Sequence, residues 1–125
     1  EQDTRLQVGA RLPKELPISD TELCALLSNG LENALNAAGA LPPENRWVRC
    51  FFGIRRDKLL LEIQNPYLGT VTMADGLPEN TAPGHGFGCR SIRYIAQHRG
   101  GLYTFRPEKG IFTLQVVLPL STDQP

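Results

Sequence analysis

The feature that most constrains this chain is a helix whose two ends are both spelled out. Ser19-Asp20-Thr21-Glu22 is a capping-box pattern, with a hydroxyl at the cap and a carboxylate three residues on. Gly39 stands at the expected stop, and Pro42-Pro43 follow it. The spacing predicts a helix from Asp20 to Ala38, about 28 Å long at roughly 1.5 Å per residue. Leu23, Leu27, Leu31, Ala34 and Ala38 recur at helical spacing and form its apolar stripe. With Asn29 at zero on a helical wheel, Asn33 falls about 40° away and Asn36 about 20° to the other side, while Leu27, Leu31, Ala34 and Ala38 lie opposite. The helix therefore packs by one side and presents a column of amides on the other.

The flanking segments read mostly as strands. Thr4 to Ala10 alternates, with Leu6 and Val8 apolar, and Pro13 and Pro17 then break the chain. Trp47 to Ile54 is rich in aromatic and β-branched residues, Arg55 to Lys58 is a polar turn, and Leu59 to Ile63 is a second strand, so the two form a hairpin. From Asn65 to about Gly84 the pattern dissolves into Gly, Pro, Asn and Thr, and unpatterned connections of that length are often functional lids. A second helix follows Gly84-His85-Gly86-Phe87-Gly88, with Cys89, Ile92, Ile95 and Ala96 on its apolar face, and ends at Gly100-Gly101. Leu102 to Arg106, a turn at Pro107 to Gly110, and a strand from Ile111 to Leu118 close the chain. The order β-α-β-β-lid-α-β-β gives an α/β (α+β) sandwich: a mixed, mainly antiparallel sheet covered on one face by helices.

Composition narrows the function. The chain has 125 residues, enough for one domain spanning residues 1–125. Its 41% hydrophobic and 21% charged content excludes a disordered or collagen-like chain. No apolar run approaches the roughly 18 residues that span a bilayer. Thirteen basic residues balance thirteen acidic ones, which argues against a non-specific nucleic-acid binder. Cys24, Cys50 and Cys89 show no CxxC spacing and read as small apolar packing residues; with His85 and His98 the only histidines, a structural zinc site is not expected. The chain opens at Glu1 rather than Met and reads as a piece of a larger protein.

Three segments carry chemistry. Asn is a poor helix former, so Asn29, Asn33 and Asn36 stacked on one face need a reason. They are either a solvated polar face or a set of neutral ligands, since an amide oxygen can coordinate Mg²⁺ and an amide N–H can bond phosphate. Gly84-His85-Gly86-Phe87-Gly88 leads directly into a helix, whose N-terminus offers unpaired N–H groups and a positive dipole end to a phosphate; the alternative is a flexible hinge. It lacks the dinucleotide fingerprint and the GK[ST] of a P-loop. Asn65, just past the second hairpin strand, either bonds a ligand or caps a turn, and Gly69 follows four positions later.

Taken in order, SNGLENAL on a helix, a strand ending in a polar residue with a following glycine, a lid, and a glycine loop opening a helix resemble the Bergerat-type ATP-binding fold. That fold is shared by gyrase, the heat-shock chaperone ATPases, histidine kinases and mismatch-repair ATPases. The resemblance covers about Leu16 to Leu120 and is greatest to the catalytic, ATP-binding domain of sensor histidine kinases, in their Agr-type branch. LLSNGLENALNAA is similar to the asparagine box, GHGFGCRSIRYIAQHRGG to the second glycine box and its helix, and FTLQVVLPL to the closing strand. The resemblance implies ATP and Mg²⁺ as ligands, with Asn33 on the metal and Asn29 as the second asparagine of the box. Asn29 stands where the gyrase-like branch has a water-activating glutamate, which favours phosphoryl transfer to a protein over hydrolysis. Asn65 takes the place of the aspartate that accepts from the adenine amino group, Pro66-Tyr67 replace the usual Asn-Gly, and Gly69 alone survives from the first glycine box. Gly84, His85, Gly86, Phe87 and Gly88 fall at the phosphates, as does Arg90, which reads equally as a surface residue of the helix.

The same resemblance implies an acceptor histidine and general base on a separate dimerisation, phosphotransfer domain, and a response regulator downstream. It implies a monomeric fragment from a homodimeric, membrane-anchored bacterial sensor with this domain on the cytoplasmic side, and a lid from Thr70 to Pro83. Two alternatives stay open: a serine-kinase or anti-sigma-factor type domain, and a degenerate module that acts by protein contact without ATP.

Overall fold

A computed structural model describes residues 5–11, 18–78 and 87–119 of the chain. The strands are β1 (Arg5–Arg11), β2 (Trp47–Arg55), β3 (Lys58–Pro66), β4 (Met73–Ala74), β5 (Leu77–Pro78), β6 (Leu102–Glu108) and β7 (Ile111–Pro119). The helices are α1 (Asp20–Ala38) and α2 (Phe87–His98), with a 3-10 turn at Pro43–Asn45. Five strands form one sheet in the order β1-β2-β3-β7-β6, and β4 and β5 pair with each other. β1 runs parallel to β2, and the other neighbours are antiparallel. A parallel pair cannot be joined by a tight turn, and α1 is the crossover that joins this one. The expected mixed, mainly antiparallel sheet is thus observed.

Each hairpin turns on two residues of positive φ: Arg56 and Asp57 (53° and 64°), Asp75 and Gly76 (57° and 78°), Lys109 and Gly110 (55° and 82°). Such turns match the right-handed twist of the strands they join. Register then fixes which side chains meet. Cys50, Ile63, Leu114 and Phe105 form one row across β2, β3, β7 and β6, and Phe52, Leu61, Val116 and Tyr103 form the next. Apart from Tyr103, which is half-buried and packs against it, both rows belong to the hydrophobic core, together with Leu26, Ala34 and Ala38 of α1 and Cys89, Ile92, Ile95 and Ala96 of α2. The α2 face is the one its sequence spacing predicts.

The packing face of α1 differs from the expected one. Leu26, Gly30, Ala34 and Ala38 are its buried residues, whereas Leu23, Leu27 and Leu31 are half-buried. The cause is Gly30, where an added methyl carbon would lie 2.7 Å from Ile63 Cδ1 and 3.2 Å from Leu114 Cδ2. Small residues let the helix settle onto the sheet, and the leucines flank the contact. A wheel weighted by hydrophobicity favours the largest side chains, while close approach favours the smallest.

The capping box forms as expected: Glu22 N–H donates to Ser19 Oγ at 3.2 Å, and Ser19 N–H to Glu22 Oε1 at 3.4 Å. The same Glu22 Oε1 accepts from Arg99 Nε at 2.8 Å and Nη2 at 2.5 Å, tying the start of α1 to the end of α2. These Arg99 bonds hold the Glu22 carboxyl below its usual range, helped by the Ser19 backbone and by the guanidinium charge.

Three further expectations are corrected. β3 extends to Pro66 rather than ending at Ile63, so Asn65 lies within a strand. The segment expected to lack structure contains the β4–β5 hairpin, with Leu77 buried and Asp75 bonded to Arg93 of α2 at 3.3 Å. Cys50 and Cys89 are buried packing residues, but Cys24 is exposed.

Candidate functional site

The site is built where the N-terminus of α2 meets the amide face of α1. Asn29 and Asn33 lie one turn apart and are half-buried, whereas Asn36 is exposed and does not join them. Gly88 comes down on Asn29: an added methyl carbon would lie 3.1 Å from Asn29 Oδ1 and 3.4 Å from its Cβ and Cγ. The next residue, Cys89, places Sγ 4.0 Å from Asn33 Oδ1. Two consecutive residues of α2 thus seat its first turn on both amides, and a larger residue at Gly88 would require the Asn29 side chain to give way by a few tenths of an ångström. Burial pushes the Cys89 thiol up from its ordinary value, so it stays protonated and acts as an apolar filler with a weak donor.

The first turn of a helix has backbone N–H groups without helical partners and a partial positive charge. No acidic residue occupies the first turn of α2, so nothing there opposes an anion. Gly84, His85 and Gly86, which the sequence assigns to the same anion site, lie outside the described residues. Phe87 opens α2, and its side chain also lies outside them. Arg90 is exposed on α2.

Asn65 approaches from the sheet. It sits one step further along the same strand face than Ile63, the residue beneath Gly30, and pairs with Phe112. It is 1% exposed, one of two buried polar residues among those described, the other being Thr113. Its Nδ2 donates to the Pro66 carbonyl at 2.9 Å. Gly69 has φ +78° with open space around it, so its place in the site is a turn conformation and not a contact.

Among the described residues no group of three or more His, Cys, Asp or Glu could hold a metal. A hard cation here would need its oxygens from neutral amides, water and a ligand's own phosphates, the mixture that suits Mg²⁺ on a nucleotide. The donor set at Asn33 therefore fits a phosphate-borne ion and does not fit a free-standing protein metal site.

Two contributors escaped the sequence reading. Gly30 sets how deeply α1 sits, and a glycine inside a helical pattern was the available signal. The β4–β5 hairpin places its turn beside α2, and Asp75-Gly76 was a hairpin signal within the expected lid.

Two helices packed on a sheet, with paired amides of one beside the first turn of the other, define a class of domain. Residues 18–119 match the family model described as GHKL domain, and the chain belongs to that family. No protein of curated function matches it. Among solved structures it is similar to the nucleotide-free catalytic domain of histidine kinase ThkA, at 18% identity over 94% of this chain and 80% of that one, with a TM-score of 0.70. It is also similar to Acinetobacter baumannii histidine kinase AdeS, at 12% identity over 95% of this chain and 56% of that one, with a TM-score of 0.67. A blue-light activated histidine kinase of Erythrobacter litoralis matches at 17% identity, 94% and 37% coverage, and a TM-score of 0.61. The fold is that of histidine kinase catalytic domains. The chain spans little more than half of AdeS and most of the ThkA domain.

Proposed function

We propose that this chain is the ATP-binding catalytic domain of a two-component sensor histidine kinase. It holds Mg²⁺-ATP against α1 and α2 for transfer of the γ-phosphoryl group to a histidine on a separate dimerisation domain of a homodimeric parent. The observation that carries this reading is the seating of Gly88 and Cys89 on Asn29 and Asn33, which joins two amides to a helix N-terminus in one place. Asn33 would hold the metal through its amide oxygen, and the metal would neutralise phosphate charge. Asn29 beside it can orient a ligand by hydrogen bonding but cannot take a proton, because an amide is not a base near neutral pH. That favours positioning for transfer over activation of water. The backbone amides of the glycine segment 84–88 would bind phosphate oxygens, with His85 and Arg90 beside them, and Asn65 would meet the base. On the same reading a response regulator receives the phosphoryl group, and the parent is a membrane-anchored bacterial sensor with this domain in the cytoplasm.

The replacement of the expected Asn-Gly by Pro66-Tyr67 favours a second reading, a module that works by protein contact without nucleotide. Calorimetric titration with ATP and ADP, with and without Mg²⁺, separates the two. Magnesium-dependent binding that Asn33→Ala weakens at least about tenfold, with unchanged thermal stability, is the expected result. A folded protein that binds nothing at millimolar nucleotide belongs to the second reading.

A further inference from the structure

The five-stranded sheet has a second side. Both helices pack on the side that carries Cys50, Ile63 and Leu114. Strand alternation sends the intervening residues to the other side. Register sets two neighbouring rows there. In one, Arg55 of β2 stands opposite Lys58 of β3. In the next, Gly53, Leu60, Val117 and Leu102 run across β2, β3, β7 and β6. This second row is apolar over four strands. It ends at Leu102, which at 71% exposure is the most exposed large apolar side chain among the described residues. Exposed apolar surface with a charged border is a common mark of an interaction site.

The border itself is unbalanced. Like charges directly opposite each other in a sheet are destabilising. Among the described residues no carboxylate pairs with Arg55 or with Lys58. Arg55 is held by an aromatic ring instead: its Cζ lies 5.0 Å from the centroid of Phe51, and the residue between them on that side is Gly53. A guanidinium stacked by its flat face still presents its N–H edge to an anion. Along the outward positions of β2, β3, β6 and β7, Arg49, Arg55, Lys58 and Arg106 stand against Glu62 and Glu108. Glu108 is already paired with Arg106 at 3.5 Å. The chain as a whole carries no net charge, so this positive excess is local.

We propose that this side of the sheet docks an acidic segment of a partner protein, with the partner's apolar side chains on the Leu60–Val117–Leu102 row and its carboxylates on Arg55 and Lys58. Charge complementarity selects the occupant. A second copy of this chain would bring the same positive excess against itself. A lipid surface takes apolar side chains that project, whereas Leu60 is only 9% exposed and Val117 is half-buried. The row therefore lies low between its neighbours, where a partner's side chain can reach it. The inference does not rest on the nucleotide reading, because none of these side chains lies on the side of α1 and α2.

The test follows backbone amide shifts of the whole chain on titration with three short synthetic peptides, built from Glu and Leu, from Lys and Leu, and from Glu and Ser. The Glu/Leu peptide is expected to bind best and to move amides around Arg55, Leu60, Leu102 and Val117. Its affinity should fall as salt rises from about 0.05 M to about 0.5 M. The double variant Arg55→Gln/Lys58→Gln should weaken it by about threefold to tenfold, and Leu102→Ser by a similar factor. All three positions are exposed, so both variants should melt as the wild type does. Equal or tighter binding of the Lys/Leu peptide overturns the proposal, as does no binding of the Glu/Leu peptide at millimolar concentration. Shifts confined to α1 and α2, or unchanged affinity in the double variant, overturn it too. Sedimentation that shows the chain alone dimerising through Leu102 would assign this side to a second copy. Binding to vesicles rich in phosphatidylserine, without binding of the Glu/Leu peptide, would assign it to a lipid surface.

Discussion

The floor beneath α1 and the hairpin beside α2 stay in place by different means. Under α1 the contact is made of interlocked apolar surface: Gly30 rests on Ile63 and Leu114, both nearly fully buried, with Leu26, Ala34 and Ala38 on either side. Beside α2, the β4–β5 hairpin is two residues per strand and relies on one buried side chain, Leu77. Its only ion pair, among the described residues, joins Arg93 to an Asp75 side chain that is 90% exposed. Area removed from water stabilises in proportion to its extent, whereas an exposed ion pair contributes little. The first region can therefore hold Asn29 and Asn33 at a fixed depth, while the second can open locally without loss of the fold.

The sharpest way to break that comparison is to excavate the floor. Leu114→Ala should destabilise the whole domain by about 2–5 kcal/mol, because the sheet and α1 cannot both close the cavity. Equilibrium unfolding in urea checks it, and a loss below about 1 kcal/mol would mean that α1 is not seated as described.

A smaller, pH-dependent effect concerns the clamp that joins the two helices. Arg99 and the Ser19 backbone depress the Glu22 pKa in the folded protein, so the stabilisation is fully present above the ordinary carboxyl value of 4.5 and is lost as pH falls through the folded value. Thermal unfolding from pH 7 down to pH 3 should therefore show an acid limb that Glu22→Gln shrinks. The variant should also be less stable than wild type at pH 7 and approach it in acid. An acid limb of equal size in both proteins would assign the acid sensitivity to other carboxylates.

The smallest effect is expected at the hairpin. Asp75→Ala should change global stability by no more than about 0.5 kcal/mol. Hydrogen exchange at residues 73–78 should nevertheless speed up, while exchange in β3 and β7 stays unchanged. A global loss comparable to that of Leu114→Ala would show that the two regions are one cooperative unit.

Local patterns made much of this molecule legible. The bounds of α1 follow from a capping box and a glycine stop, both acting within a few residues. The α2 face follows from apolar spacing, and the β2–β3 and β6–β7 hairpins from polar breaks between apolar runs. Asn29, Asn33, Asn65 and Gly88 could be singled out because an amide in a helix, a polar residue by a buried strand and a glycine before a helix each conflict with ordinary propensity. The short β4–β5 hairpin was missed because two-residue strands carry no measurable alternation and only the Asp75-Gly76 turn marks them.

The sequence by itself determined the elements, their order and the residue types available for chemistry, because caps, turns and periodicity are short-range. Only the tertiary structure decided that Gly30 and the alanines, not the leucines, carry α1 onto the sheet, since contact depth depends on what lies across the gap. It alone brought Gly88 onto Asn29 and Cys89 to Asn33, positions nearly sixty residues apart in sequence. It also buried Asn65 and set its Nδ2 on the Pro66 carbonyl, because that bond depends on a neighbouring carbonyl whose direction is set by the strand.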